Sequence, residues 1–213
     1  MKDAPKHRIP QSLADAFVAT QKQGTLSAQV EGGFPQMTML PFLRTGDLIE
    51  LHCVQADPTF QALKQNPKVA FLVSEYLGVF PSRWADPEDG GRGSTVYRAV
   101  NFECIASYDT SPDAVAAALT KLLSVYEPGA PKGHITDGPV YGARLRQLAA
   151  LRLEVVNTQA KFKIGPAGAD ETARRANVAA ELRRRNEPGD ANAAHWIDTY
   201  NKLRNADGSW SVD

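Results

Sequence analysis

The sequence predicts a β-barrel core with helices at its edges, and three observations carry that prediction. From Gly24 to Ile105 the chain runs through five short strand-like segments: Thr25–Val30, Gln36–Arg44, Asp47–Cys53, Val69–Val73 with a possible extension to Phe80, and Val96–Ala106. These are separated by Gly, Pro and Asp, the residues that turn a chain between strands. Helical periodicity is confined to the two ends and to short excursions, which suits a barrel better than an alternating α/β sheet.

The elements follow in order. Ser12–Gln23 reads as a first helix, with Ser12 at its cap, Leu13, Ala16, Phe17 and Thr20 on one face, and Gly24 as its stop. TLSAQV is the first strand, and Glu31-Gly32-Gly33-Phe34-Pro35 turns into QMTMLPFLR. The imperfect alternation there predicts cover on both faces, as when a partner packs outside a barrel, and Pro41 demands an edge or a bulge. In DLIELHCV, Leu48, Glu50 and His52 alternate with Ile49, Leu51 and Cys53, a period-two strand.

Asp57 caps a short helix, Pro58–Gln65, with proline at the favoured first position. The strand from Val69 leads into Pro81–Ser94, a turn-rich stretch expected to be a surface loop, and YRAVNFECIASY returns to strand. Ser111 and Pro112 open a helix to Tyr126 whose apolar face is Val115, Leu119, Leu122 and Val125. A short helical stretch at Gly142–Leu148 precedes LAALRLEVVNTQAKFKIG, the last strand. Two helices, Asp170–Arg185 and Asp190–Leu203, close the chain around NEPGD. The whole reads as one domain: an N-terminal helix in 1–24, a barrel core in 25–165 and a helical extension in 166–213.

Composition narrows the function. With 24 basic and 24 acidic residues and a pI near 6.9, broad nucleic-acid affinity is not expected. The cluster Arg183-Arg184-Arg185 suits the C-terminal end of a helix as a solvated face. Cys53 and Cys104 sit in apolar strands and are expected as free thiols. A polar N-terminus and the lack of a long apolar run predict a soluble, cytoplasmic protein with no membrane partner.

No nucleophile elbow, metal quartet or phosphate loop is present, so chemistry would fall to a bound cofactor. His7 and His134 lie in a tail and a loop, and His195 lies on a terminal helix. His52 alone sits on a core strand, either as a hydrogen-bonded structural residue or as a ligand contact. Ser82, Arg83 and Trp84 fall at a strand end, where an arginine with hydroxyls suits a phosphate and an indole can stack on a ring. The alternative is that Trp84 plugs the barrel. Lys161 and Lys163 share one side of a strand, facing either water or a common anion.

The motif order GTLSAQ, GGFPQMTMLPFL, GDLIELHCVQADP, GVFPSRW, STVYRAVNFECIA, KFKIG resembles the PaiB-type FMN-binding regulators. These belong to the FMN-binding split-barrel group, with pyridoxamine-phosphate-oxidase-like and flavin-reductase-like proteins. The resemblance runs from about Ile9 to Ala194. It implies a mainly β fold with peripheral α, a six-stranded split barrel of Greek-key type with C-terminal helices. It also implies a homodimer with FMN sites at the interface.

Leu40-Pro41 and His52 match family motifs, with Met39 where a histidine is usual. Gln55 stands where a cation is usual, and Asp57 where an asparagine is usual. Val96 and Pro166 are further departures. Losing a cation from a phosphate costs about 1.5–3 kcal/mol, or about ten- to a hundredfold in affinity.

The resemblance therefore implies an FMN phosphate held by Arg83, Arg98 and Lys163, with Lys161 nearby and hydroxyls from Thr38 and Ser82. Trp84 or Tyr97 would shield the ring, and His52 would hydrogen-bond beside it. The reading is a flavin-dependent oxidoreductase of undefined substrate. One alternative is a flavin-responsive transcriptional regulator without turnover, for which DNA binding rests on family analogy alone. Another is a barrel that has lost FMN or holds haem, through His52 or His195, or a deazaflavin.

Overall fold

A computed structural model describes residues 9–129, 135–166, 171–205 and 209–211. His7, His134 and Asp170 lie outside the described residues. The six predicted strands are all present: β1 Gln23–Ala28, β2 Gln36–Thr45, β3 Leu48–Val54, β4 Lys68–Phe80, β5 Ser94–Asp109 and β6 Leu148–Lys163. The helices are α1 Gln11–Thr20, α2 Pro58–Gln65, α3 Ser82–Ala85, α4 Pro112–Tyr126, α5 Gly142–Leu145, α6 Glu171–Arg185 and α7 Asp190–Leu203. The strands close into a barrel in the order β1-β2-β3-β6-β5-β4, so the fold is the mainly β, six-stranded architecture expected.

The chain divides into two compact units. One comprises Phe17–Val73 and Asn101–Gln159; the other comprises the chain up to Ala16, Ser74–Val100 and Ala160–Asp213.

In the first, the barrel unit, β1 pairs antiparallel with both β2 and β4, and β3 with both β2 and β6. Period-two alternation decides which side chains fill it: Leu26, Phe42, Ile49, Leu51, Phe71, Phe102, Leu151 and Leu153 are all buried. Phe42 and Phe71 meet edge to face, with centroids 5.2 Å apart. Cys53 and Cys104 are buried free thiols, as expected, and burial pushes both up to about 12.

Several details correct the sequence reading. Ser12 does not cap α1, because the Leu13 and Ala14 amides already donate to the Pro10 carbonyl. Gly24 does not end that helix: it lies in β1 beneath the Phe71 ring, where a Cβ would stand 2.5 Å from a ring carbon. Pro41 sits inside β2, at the residue where pairing with β1 ends and just before pairing with β3 begins.

The caps of α2 and α4 form as predicted. Asp57 accepts the Thr59 N–H at 2.7 Å and Ser111 accepts that of Ala114 at 3.4 Å. On α4, Val115 and Leu122 are buried but Val125 is 59 % exposed, so the apolar stripe is shorter than its periodicity suggests. The Tyr126 hydroxyl, at the end of α4, accepts the Phe42 N–H at 3.2 Å and also meets the Phe42 carbonyl at 2.8 Å.

The second unit is helix-backed. Leu77, Phe80 and Val96 from the strands pack with Trp84 and with Val178, Leu182, Ala194 and Ile197 of α6 and α7. Residues 82–85 form α3 rather than part of an irregular loop. Asn186 ends α6 with φ 55°, and Gly189 opens α7 with φ 93°. Between them, Arg185 clamps Asp190 with two bonds of 2.8 and 2.5 Å, and the Glu187 N–H adds a third to the same carboxylate at 2.9 Å. That pairing holds the Asp190 carboxyl below its ordinary range.

Candidate flavin site on the barrel face

The register of the barrel unit sets rows of outward side chains across three strands. Met37 lies opposite Ser27, which lies opposite Ala70; Met39 lies opposite Thr25, which lies opposite Leu72. Since Leu26 and Phe71 of the same strands fill the core, these rows face away from it. Met37 is 63 % exposed, Met39 61 %, Val156 63 % and Ile105 37 %. Four large apolar side chains standing in water on one unit form the kind of surface that marks binding or association.

A groove of about 500 Å³ crosses this face. Ala70, Ile105 and Val156 give it an apolar floor, and Ser27, Gln29 and Lys68 supply a hydroxyl, an amide and a cation. Glu103 also lines it, with its carboxylate accepting from the Gln159 amide at 3.1 Å. FMN needs a flat apolar bed for its ring system and donors with positive charge for its phosphate. The apolar floor residues and Lys68 meet those needs, so the groove fits the group.

The residues predicted for the site are not gathered in one place. Thr38 is half-buried and lies opposite buried Leu26, so it faces the barrel interior rather than the groove. His52 lies opposite Ala150 on β3, on the side where Glu50 meets Lys121 of α4. Its Nδ1 is buried without a hydrogen-bond partner among the described residues, and burial holds the ring below the ordinary histidine value. Gln55, standing where a cation is usual, donates its amide to the carbonyls of Arg146 and Leu148 at 3.1 and 2.8 Å. It secures the start of β6.

In the helix-backed unit, Ser82 and Arg83 sit on α3, Arg83 exposed and Ser82 half-buried. Trp84 is only 7 % exposed, within the core and under the Arg185 guanidinium at 5.1 Å, so it is not free to stack on a ring. Arg98 does not head its strand with an open side chain. It is 3 % exposed, bonded to Glu75 at 2.5 and 3.1 Å and held 3.6 Å from the centre of the Trp196 ring. Its charge serves the packing of α7. Lys161 lies 5.9 Å from the Tyr97 ring centre, while Lys163 lines a separate cavity of the same unit. His195 is exposed, edge-on to Trp196 at 5.6 Å.

Sequence reasoning missed Ser27, Gln29, Lys68, Ala70, Ile105 and Val156. Their signal was present in part, because the two-sided character of β2 predicted outside cover. Their convergence depends on registers between distant strands, which no local pattern reports.

Comparison with known proteins agrees with this architecture. The flavocytochrome Anf3 from Azotobacter vinelandii is similar at 20 % identity, with 78 % of this chain and 74 % of that chain covered and a TM-score of 0.60. The FAD and heme binding protein from Mycobacterium smegmatis is similar at 22 %, covering 80 % and 78 %, with a TM-score of 0.57. A conserved hypothetical protein from Mycobacterium tuberculosis is similar at 16 %, covering 79 % and 99 %, with a TM-score of 0.56. At these identities the likeness establishes the fold. No curated protein matches the chain. The family described as "Putative FMN-binding domain" matches residues 4–157, most of the sequence. The chain therefore belongs to that FMN-binding family, and FMN is its cofactor.

Proposed function

We propose that this protein is an FMN-dependent oxidoreductase that works as a homodimer, two copies meeting over the bare barrel face with a flavin in each groove. The observation that carries the reading is the apolar row around the groove, with Met37 and Met39 more than 60 % exposed on β2 while Thr38 and Leu40 on its other face are half-buried and Phe42 is buried. A second copy covering this row would remove it from water and shut solvent out of the groove. FMN, when bound, supplies hydride or single-electron transfer. The chain supplies the bed, through Ala70, Ile105 and Val156, and charge for the phosphate, through Lys68. The two buried free thiols suit a reducing, cytoplasmic setting.

One observation favours a second reading, a flavin-responsive sensor of the PaiB type. Among the described residues the ionisable groups lining the groove are Lys68, Glu103 and the buried thiol of Cys104, and Glu103 already accepts from Gln159, so no uncommitted carboxylate or imidazole among them faces a substrate there. DNA recognition by the terminal helices draws no support from the arginine cluster. Arg183, Arg184 and Arg185 pair with Asp198, Glu181 and Asp190.

The purified protein should be yellow, and FMN fluorescence should be quenched on titration. Lys68→Ala should weaken FMN about tenfold, the effect of one charge-assisted bond. A colourless protein that leaves FMN fluorescence unchanged defeats both readings. NADH or NADPH oxidation by the holoprotein separates them: turnover supports the enzyme, and its absence supports the sensor.

A further inference from the structure

The barrel unit holds a slot of about 420 Å³ between α4 and the outer side of β3, β5 and β6, and it shares no described lining residue with the flavin groove. Ala114, Ala117 and Ala118 face the slot from α4 and Ala150 faces it from β6, so methyl groups meet across it. The helix is not free to settle closer. Val115 packs in one cluster with Leu145, and the Tyr126 hydroxyl bonds the C-terminal end of α4 to the Phe42 backbone at 3.2 and 2.8 Å.

Both signs of charge line the slot, and they do not close on each other. Glu50 and Arg152 lie directly opposite on β3 and β6, yet the guanidinium stands 3.8 Å from the carboxylate, beyond hydrogen-bond length. Lys121 holds the Glu50 carboxylate from α4 instead. Asp109, at the end of β5, accepts the Ser111 N–H at 2.8 Å and pairs with neither base among the described residues. A guanidinium and a carboxylate at one rim, over a bed of methyl groups, match a molecule carrying both opposite charges and an aliphatic tail. The match needs both signs at the slot and does not depend on the net charge around it.

We propose that the slot binds a free α-amino acid with an aliphatic side chain, its carboxylate on Arg152, its ammonium on Asp109 and its side chain against Ala117, Ala118 and Ala150. Ser107 adds a hydroxyl to the same lining. The Lys121–Glu50 pair stays closed and forms one wall. The volume lies within the range of small-ligand sites, about 300–1,000 Å³. This inference is independent of the flavin reading and gives the barrel a second small-molecule input, a co-substrate or an effector.

Calorimetric titration of L-leucine into the full chain, at neutral pH and low ionic strength, tests it. Isopentylamine and isocaproate are the companion probes, since each keeps the side chain and only one of the two charges. Leucine should bind at least about tenfold more tightly than either. Arg152→Gln should weaken leucine about tenfold and leave isopentylamine unchanged. Ala118→Leu, which fills the slot, should abolish leucine binding, and FMN titration should be unaltered in both variants. No leucine binding by wild type, equal binding of the three probes, or an unchanged leucine affinity in either folded variant overturns the proposal. Loss of leucine binding in Ala70→Trp also overturns it, by moving the ligand to the groove. If leucine binds as expected and FMN does not, the slot stands and the flavin reading falls. The Arg152 side chain is 66 % exposed, so its replacement should not perturb folding and carries the comparison alone should Ala118→Leu unfold.

Discussion

On the barrel unit, Met37, Met39, Ile105 and Val156 point away from the core into water, and the groove between the strands has an apolar floor. In the helix-backed unit, α6 and α7 cover Trp84, Val96 and Ile164, and the buried charges Arg98, Arg175 and Asp190 each have a partner. The first arrangement leaves apolar area unburied, at about 25 cal/mol for each Å². The second satisfies its polar groups internally. Aromatic rings and arginines are therefore poor guides to ligand contact in this protein: in the helix-backed core they secure helices, while the described lining of the barrel groove holds aliphatic residues with Ser27, Gln29, Lys68 and Glu103 and neither an aromatic ring nor an arginine.

The sharpest test of this contrast is Asp190→Ala. It takes the buried carboxylate from Arg185, leaving it only the exposed Glu187 at 3.1 Å, and should cost about 3–4 kcal/mol by chemical denaturation, the lower part of the range for breaking a buried pair. Next in size is Arg98→Ala, which removes the Glu75 pair and the Trp196 contact and should cost about 2–4 kcal/mol while FMN affinity stays within twofold. A tenfold loss of FMN affinity in that variant would return Arg98 to the cofactor site. Ala70→Trp should do the reverse: filling the groove should abolish measurable FMN quenching with little change in the denaturation midpoint. Met39→Glu should shift the sedimentation profile from dimer to monomer.

The smallest effect is a pH dependence. Burial lowers the His52 pKa in the folded state, so between the folded value and the unfolded value of about 6.5 the unfolded chain binds more protons. Stability should be intact above pH 7 and decline as pH falls through 6.5. His52→Phe should flatten that decline. Asp190 acts lower: its folded pKa is depressed, so its contribution is present above about pH 4 and is lost as the pH falls further. Asp190→Asn should remove this acid-side slope.

The fold was legible wherever local chemistry decides it. Alternation through Ile49, Leu51 and Cys53, and the caps Asp57-Pro58 and Ser111-Pro112, marked elements that form as read. Gly24 misled because its reason is a contact with Phe71, 47 residues away in the chain, and not the end of a helix. Trp84 and Arg98 misled for a related reason. Their residue types suit a ligand as well as a core, and only Arg185 and Trp196, about a hundred residues on, decide between the two. The groove was the least legible feature, because Ser27, Ala70, Ile105 and Val156 meet only through the register of four strands.

The two thiols inside the barrel have a practical consequence. With their pKa values near 12, Cys53 and Cys104 carry almost no thiolate at neutral pH and should ignore maleimides and mild oxidants in the folded protein. A single cysteine introduced at Met39 or Val156 would then be the reactive one, on an otherwise silent background. It turns the bare face into an address for a cross-link or a fluorophore, where a second copy, once seated, would announce itself by covalent capture.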